Sequence, residues 1–240
     1  MRILCFAGGG DIGGAKTHII SLGRELAKDN DYLLLSFRRG EFADEARQNG
    51  LRVVETENSW NLLNAISTAI KIVDQFKPDV IHCHGAKANM MGVFVKKLRH
   101  IPIITTVHSD PQLDYLGSPI KQYTFGLINA IALRNMDYYM AVADKMKTKL
   151  IEHGFDPQRI FILYNGLDFT DAPLLSRQVT DDSDIVVGIA ARLTPIKDIP
   201  TLLMAFAQAY KRNSRLRLKI AGIGEDEAKL KEMAIQLNIA

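Results

Sequence analysis

Apolar residues along the chain come in short β-branched runs separated by stretches with helical spacing. Runs at Ile3 to Ala7, Tyr32 to Phe37, Leu51 to Val54, Val80 to Cys83, Ile103 to Val107, Tyr138 to Val142 and Ile160 to Leu163 predict strands. Residues 59–76 illustrate what lies between them. Leu62, Leu63, Ile66, Ile70, Val73 and Phe76 fall on one helical stripe, and Pro78 follows its end. Repeated strand–helix alternation implies an α/β fold with a parallel, doubly wound sheet covered on both faces, a complete Rossmann-like domain.

The pattern lapses after Asn165-Gly166. Residues 166–184 are polar, contain Pro173 and end in Asp182-Ser183-Asp184, which predicts a linker between a first domain at 1–165 and a second at 185–240. The D-x-D within it reads as solvated loop carboxylates. Strand–helix order then restarts: Ile185 to Ala191 is an unbroken apolar run expected to be buried on both faces. A helix from Pro200 to Tyr210, a strand at Leu216 to Ala221 and a helix from Glu225 to Leu237 follow. Two parallel strands cannot bury both faces of a sheet, so the second domain is expected to be truncated and the fragment to self-associate.

Composition narrows the class. A hydrophobic fraction of 47% with 24% charged residues is that of a globular protein. The formal net charge of +3 is too small to argue for nucleic acid, although Lys96-Lys97-Leu98-Arg99-His100 offers either a solvated helix end or a contact with anionic lipid or an anionic substrate. Cys5 and Cys83 lie inside strand-like runs, which suits reduced core thiols and a cytoplasmic location, extending to the inner face of a membrane. The N-terminal run is too short for a signal peptide, and no apolar run reaches transmembrane length. Phe125 to Leu133, the longest candidate, predicts a buried helix.

The chemistry-bearing residues cluster where strands give way to helices. Arg192 and Lys197 lie between the Ile185 run and a helix opened by Pro200, where free N–H groups and the positive helix end favour a diphosphate. Two solvated surface cations are the alternative. Gly8 to Gly13 formally matches G-x-G-x-x-G, and Arg38-Arg39 could accept the 2′-phosphate of NADP, which keeps an NADP-dependent oxidoreductase open. The better helix start is Gly13-Gly14-Ala15, where a ligand can approach the backbone closely. His82 and His84 bracket Cys83 at a strand end and must face one side; with His108 they make three histidines near strand ends. A zinc hydrolase could use such a set, but H-x-H without further ligand spacing does not define a site, and no metal is assigned.

Gly13-Gly14-Ala15-Lys16-Thr17-His18, Asp79 to His84, Thr106-Val107-His108, Ile160 to Asp168, Arg192 to Lys197 and Ile220 to Gly224 together resemble, in order, the motifs of glycosyltransferase family 4. The resemblance covers essentially the whole chain and implies a GT-B fold, with two Rossmann-like domains, the second holding a nucleotide sugar. It implies retention of anomeric configuration, no metal and no cofactor beyond that donor. The implied acceptor is a glycan, a lipid-linked molecule or a small molecule. Carried over by position, Arg192, Lys197 and Gly14 bind the donor diphosphate, and His108 is the catalytic residue beside the transferred sugar. Gly13, Lys16 and His84 lie on the acceptor side. Lys16 departs from an acidic residue common there, and Asp198 replaces the glycine that often follows the lysine. The family's acidic E-x7-E segment would lie beyond Ala240. The expectation is therefore a glycosyltransferase whose 240-residue portion is inactive by itself, the third alternative being a non-catalytic binding fragment.

Overall fold

A computed structural model of the chain describes residues 1–9, 14–56, 62–109, 126–166 and 184–240. It divides into two compact units, Met1–Asp171 and Ala172–Ala240. Most of the expected linker, residues 167–183, lies outside the described residues, as does Gly13.

The first unit carries a seven-stranded sheet, every pairing in it parallel. Its strands are β1 (Arg2–Ala7), β2 (Asp31–Ser36), β3 (Val53–Glu55), β4 (Val80–His84), β5 (Ile103–Val107), β6 (Tyr138–Ala141) and β7 (Ile160–Ile162). Helices α1 (Gly14–Asp29), α2 (Glu41–Gln48), α3 (Leu62–Phe76), α4 (Ala86–Arg99), α5 (Leu127–Arg134) and α6 (Asp144–Glu152) alternate with them. The spatial order β3-β2-β1-β4-β5-β6-β7 is that of a doubly wound sheet.

Strand alternation sorts the apolar side chains into two cores. Ile3, Cys5, Ala7 and Leu34 pack with Ile19 and Ile20 of α1 and Phe42 of α2. On the other face, Leu4, Phe6, Leu35, Ile81 and Cys83 pack with Ala69 of α3 and Met91 and Val95 of α4. Cys5 and Cys83 are both buried thiols outside any disulfide among the described residues, and they belong to opposite faces. Close approach of α4 to the sheet needs a glycine: a Cβ on Gly92 would stand 2.6 Å from the Cys83 Sγ.

The expected buried helix at Phe125 to Leu133 is corrected by the structure. Residues 110–125 lie outside the described residues, and α5 turns Asn129, Ala132 and Leu133 inward while Leu127 and Ile131 are 56% and 57% exposed. Three inward residues suffice to anchor a two-turn helix against α4, and the remaining apolar positions face outward.

In the second unit β8 (Ile185–Ala190) pairs in parallel with β9 (Leu216–Ala221), and α7 (Ile199–Arg212) and α8 (Glu227–Gln236) pack on them. Leu193, Ile199, Leu203 and Leu230 form the core, against Ile189, Leu218 and Ile220 of the sheet. Burial of β8 on both faces is also corrected. Val186 is 43% exposed, because both helices lie on the face that carries Ile189, Leu218 and Ile220, and Ile185, which shares that face at the start of the strand, is still 45% exposed. Arg217 and Lys219 of β9 point the other way, which marks that face as uncovered among the described residues.

Candidate functional site

The order of the sheet reverses between β1 and β4, and doubly wound sheets open a crevice at the carboxyl ends of such a pair. Ala7 and His84 are in register there. From this point α1 leaves to one face and α4 to the other, as their separate cores require. No side chain caps the N-terminus of α4, whose N-cap Gly85 has φ 83°.

Alternation along β4 turns Cys83 toward α4 and both flanking histidines toward α1. His82 lies deeper, and its Nε2 is 2.8 Å from the Thr106 hydroxyl of β5. His84, at the end of the strand, has its Nδ1 3.2 Å from Nε2 of His108, which follows β5. The second turn of α1 adds His18, whose ring centroid stands 5.0 Å from that of His108 and 5.9 Å from that of His84. His18 is 7% exposed, and its Nε2 has no hydrogen-bond partner among the described residues.

Burial, aided by the neighbouring imidazoles His18 and His108, pushes His82 down to about 3. Burial, with His18 adding to it, brings His108 to about 4. His84 falls well below its ordinary value for the same reason, with the other three rings contributing. His18 is lowered by burial, and a hydrogen bond involving Asn165 acts the other way. These imidazoles are therefore neutral near pH 7, able to offer both a donor and an acceptor nitrogen to a polar ligand.

Of the residues expected on the acceptor side, Lys16 of α1 is bound to Glu45 of α2, so its charge is already matched. Gly14 begins α1, and a Cβ added there would meet no atom within 4 Å; packing within the described residues does not demand glycine. Gly9 does need to be glycine. It has φ 79°, and a Cβ would stand 2.7 Å from Cβ of Arg38. The sequence reading gave His18 no role; its position one helical turn after Gly14 was the signal that could have supplied one.

In the second unit Arg192 follows β8 and Lys197 ends a single 3-10 turn, Pro195–Lys197, just before α7. Pro200 sits in the first turn of α7, as its fixed φ favours. Asp198 holds the N-cap position with φ 46° and ψ 43°, and its side chain makes no capping bond. The first N–H groups of α7 thus keep no side-chain acceptor, and the buried Thr194 hydroxyl beside them has no partner among the described residues. The loop is seated on the turn after β9: Ala191 N–H donates to the Ala221 carbonyl, Leu193 N–H to Ile223, and Asp226 N–H to Leu193, at 3.0, 2.9 and 3.0 Å.

A groove of about 660 Å³ lies elsewhere in the first unit, where β5 and β6 begin, lined by Lys96, Lys97, His100, Tyr138 and Arg159 among others. It belongs to the opposite, amino-terminal edge of the sheet from the histidines.

The family described as Glycosyltransferase Family 4 matches residues 12–171, and that described as Glycosyl transferases group 1 matches residues 174–240. An uncharacterized glycosyltransferase of Methanocaldococcus jannaschii, MJ1059, is 26% identical over 202 residues, covering 75% of this chain and 48% of its own length. Alpha-monoglucosyldiacylglycerol synthase of Streptococcus pneumoniae is 22% identical over 190 residues, 72% of this chain and 43% of its own. The chain thus spans about half the length of these relatives. Among solved structures, Anabaena HepE in complex with UDP and glucose is similar with a TM-score of 0.77 at 18% identity, over 99% of this chain and 67% of that one. At that identity the likeness establishes the fold.

Proposed function

Because the chain belongs to glycosyltransferase family 4, we propose that it carries the acceptor-side domain and the donor-diphosphate loop of an enzyme that moves a sugar, with retention, from a nucleoside diphosphate to an acceptor hydroxyl. The carrying observation is that Arg192 and Lys197 belong to the loop that leads into the N-terminus of α7, where no side chain caps the helix. Two cations on one loop, helix amides without a side-chain cap and the positive helix end together suit a diphosphate.

In this reading the bond between the anomeric carbon and the phosphate oxygen breaks as the acceptor oxygen joins the same face of the sugar. The acceptor proton passes to the departing phosphate. Arg192, Lys197 and the α7 amides take up the negative charge that develops on the leaving diphosphate. His108, neutral and only partly exposed, hydrogen-bonds the transferred sugar, while His84 fixes the His108 ring through their shared hydrogen bond. Gly14 leaves room at the start of α1 for the donor phosphate, and Gly13, Lys16 and His84 belong to the acceptor side. The donor itself is the cosubstrate, and no step of this scheme calls for another cofactor.

The acceptor is a glycan, a lipid-linked molecule or a small molecule, and a lipid is favoured by the name of the streptococcal relative. Leu98 of α4 is exposed beside Lys97 and Arg99, and Leu127 and Ile131 are exposed on α5, which packs against α4; apolar and basic residues together suit a peripheral contact with an anionic membrane. No helix among the described residues is long and apolar enough to cross a membrane. Cosedimentation with anionic but not neutral vesicles, abolished by Leu98→Glu with Ile131→Glu, is the expected result for that contact.

Calorimetric titration with UDP tests the diphosphate loop. Arg192→Ala and Lys197→Ala should each weaken binding about tenfold or more, since one charge-assisted hydrogen bond contributes roughly 1.5–3 kcal/mol. Unchanged affinity in both variants would refute the assignment. Labelled-sugar transfer, assayed in a protein that contains the whole of this chain, tests the reaction.

A further inference from the structure

We propose that His18, His84 and His108 form a binding site for a divalent transition-metal ion of the zinc and cobalt class. Each residue comes from a different element: α1, the end of β4, and the loop after β5. One ligating nitrogen from each lies within 4.8 Å of the others, and the cluster contains no carboxylate or thiolate. An all-imidazole donor set selects zinc, cobalt, nickel or copper over magnesium and calcium, which take oxygen ligands.

The geometry is close to what such an ion needs. The 3.2 Å between His84 Nδ1 and His108 Nε2 is about the edge of a tetrahedron with bonds of ~2.0 Å. Three donors at the 4.8 Å limit stand about 2.8 Å from a common centre, so small ring rotations of ~0.7 Å each bring them to bonding distance. The third donor is the independent pointer. His18 is more than nine-tenths buried, its ring centroid stands 5.0 and 5.9 Å from those of His108 and His84, and its Nε2 has no hydrogen-bond partner among the described residues. A purely packed histidine cluster explains the His84–His108 bond and leaves that nitrogen without a purpose.

Three imidazoles leave a fourth coordination position, open to water or a ligand oxygen. The site shares His84 and His108 with the proposed sugar site, yet metal binding itself stands whether or not that reading does. Where both hold, the ion draws His108 away from the sugar and opposes transfer. It also ties the first turns of α1 to the ends of β4 and β5.

The test is a Co²⁺ titration of the 240-residue chain after removal of metals with EDTA. The expected result is a single saturating equivalent with the ligand-field absorption of a four-coordinate ion, bleached by Zn²⁺. His18→Gln and His84→Gln, each checked for native circular dichroism, should weaken binding at least about tenfold. A His100→Ala, His153→Ala double variant should bind normally, because both histidines lie apart from the cluster. Absence of saturable binding would overturn the proposal, as would thiolate-to-metal absorption, binding retained by both cluster variants, or binding lost in the surface double variant.

Discussion

The carbonyl oxygen of Leu193 occupies the place that a Cβ on Gly224 would need. The Leu193 N–H meanwhile donates to the carbonyl of Ile223. The loop that carries Arg192 is therefore set by backbone-to-backbone contact with the turn after β9. Gly224→Ala should destabilise the second unit by about 1–3 kcal/mol, the usual cost of overpacking a rigid contact. It should also weaken UDP binding without touching any cation. Thermal unfolding and calorimetry measure the two effects, and a normal melting temperature in that variant would remove the backbone contact as the loop's support.

Asp198 has φ 46°, a conformation that costs a residue with a Cβ about 1 kcal/mol more than glycine. Its carboxylate follows Lys197 directly. Asp198→Gly should raise stability by about 1 kcal/mol and tighten UDP binding, both through one side chain. Lower stability in this variant would mean that the carboxylate stabilises α7 more than the backbone strain opposes it.

The buried histidines make the first unit sensitive to acid. His82 and His108 titrate near 3 and 4 in the folded protein, and His84 well below its ordinary value. In the unfolded chain each takes up its proton near 6.5. Below that pH the unfolded state binds more protons, so stability is full above about 6.5 and is lost progressively as pH falls toward 4. Urea midpoints measured between pH 7.5 and 5 on metal-free protein should fall with pH. His108→Gln should make the decline shallower; identical slopes for variant and parent would exclude His108 as a contributor.

Uncovered apolar surface on β8 favours association between copies of the 240-residue chain. Light scattering should show growth in mass with concentration. Val186→Lys, placed on the face that already bears Arg217 and Lys219, should suppress it. A monodisperse monomer across the concentration range would contradict this expectation.

Most of the architecture was readable from period alone. Ile103 to Val107 and Leu216 to Ala221 are strands at the predicted residues, and the one-sidedness of His82 and His84 followed from their spacing. The misreadings share a cause: an apolar run reports that a segment can be buried, and only its neighbours decide whether it is. Ile185 to Ala191 has no polar residue to mark an exposed side, and the one polar residue of Phe125 to Leu133, Asn129, points inward, whereas β9 marks its exposed side with Arg217 and Lys219. His18 was hidden for another reason. Its distance from His84 and His108 in sequence is set by a parallel crossover, and no local pattern records which residues such a crossover brings together.

The alternation of β4 also makes the crevice a matter of parity. Even-numbered positions 82 and 84 carry the imidazoles and odd-numbered 81 and 83 carry Ile81 and Cys83, on opposite faces of a strand five residues long. A single residue inserted before Val80 can be absorbed in the preceding turn, but one inserted between Ile81 and His82 cannot. It would deliver the Cys83 thiol to the ligand side and thrust two imidazoles into the packing of α4. Insertions here come in tolerable pairs or not at all, so length variation near this strand belongs in the turns at its ends.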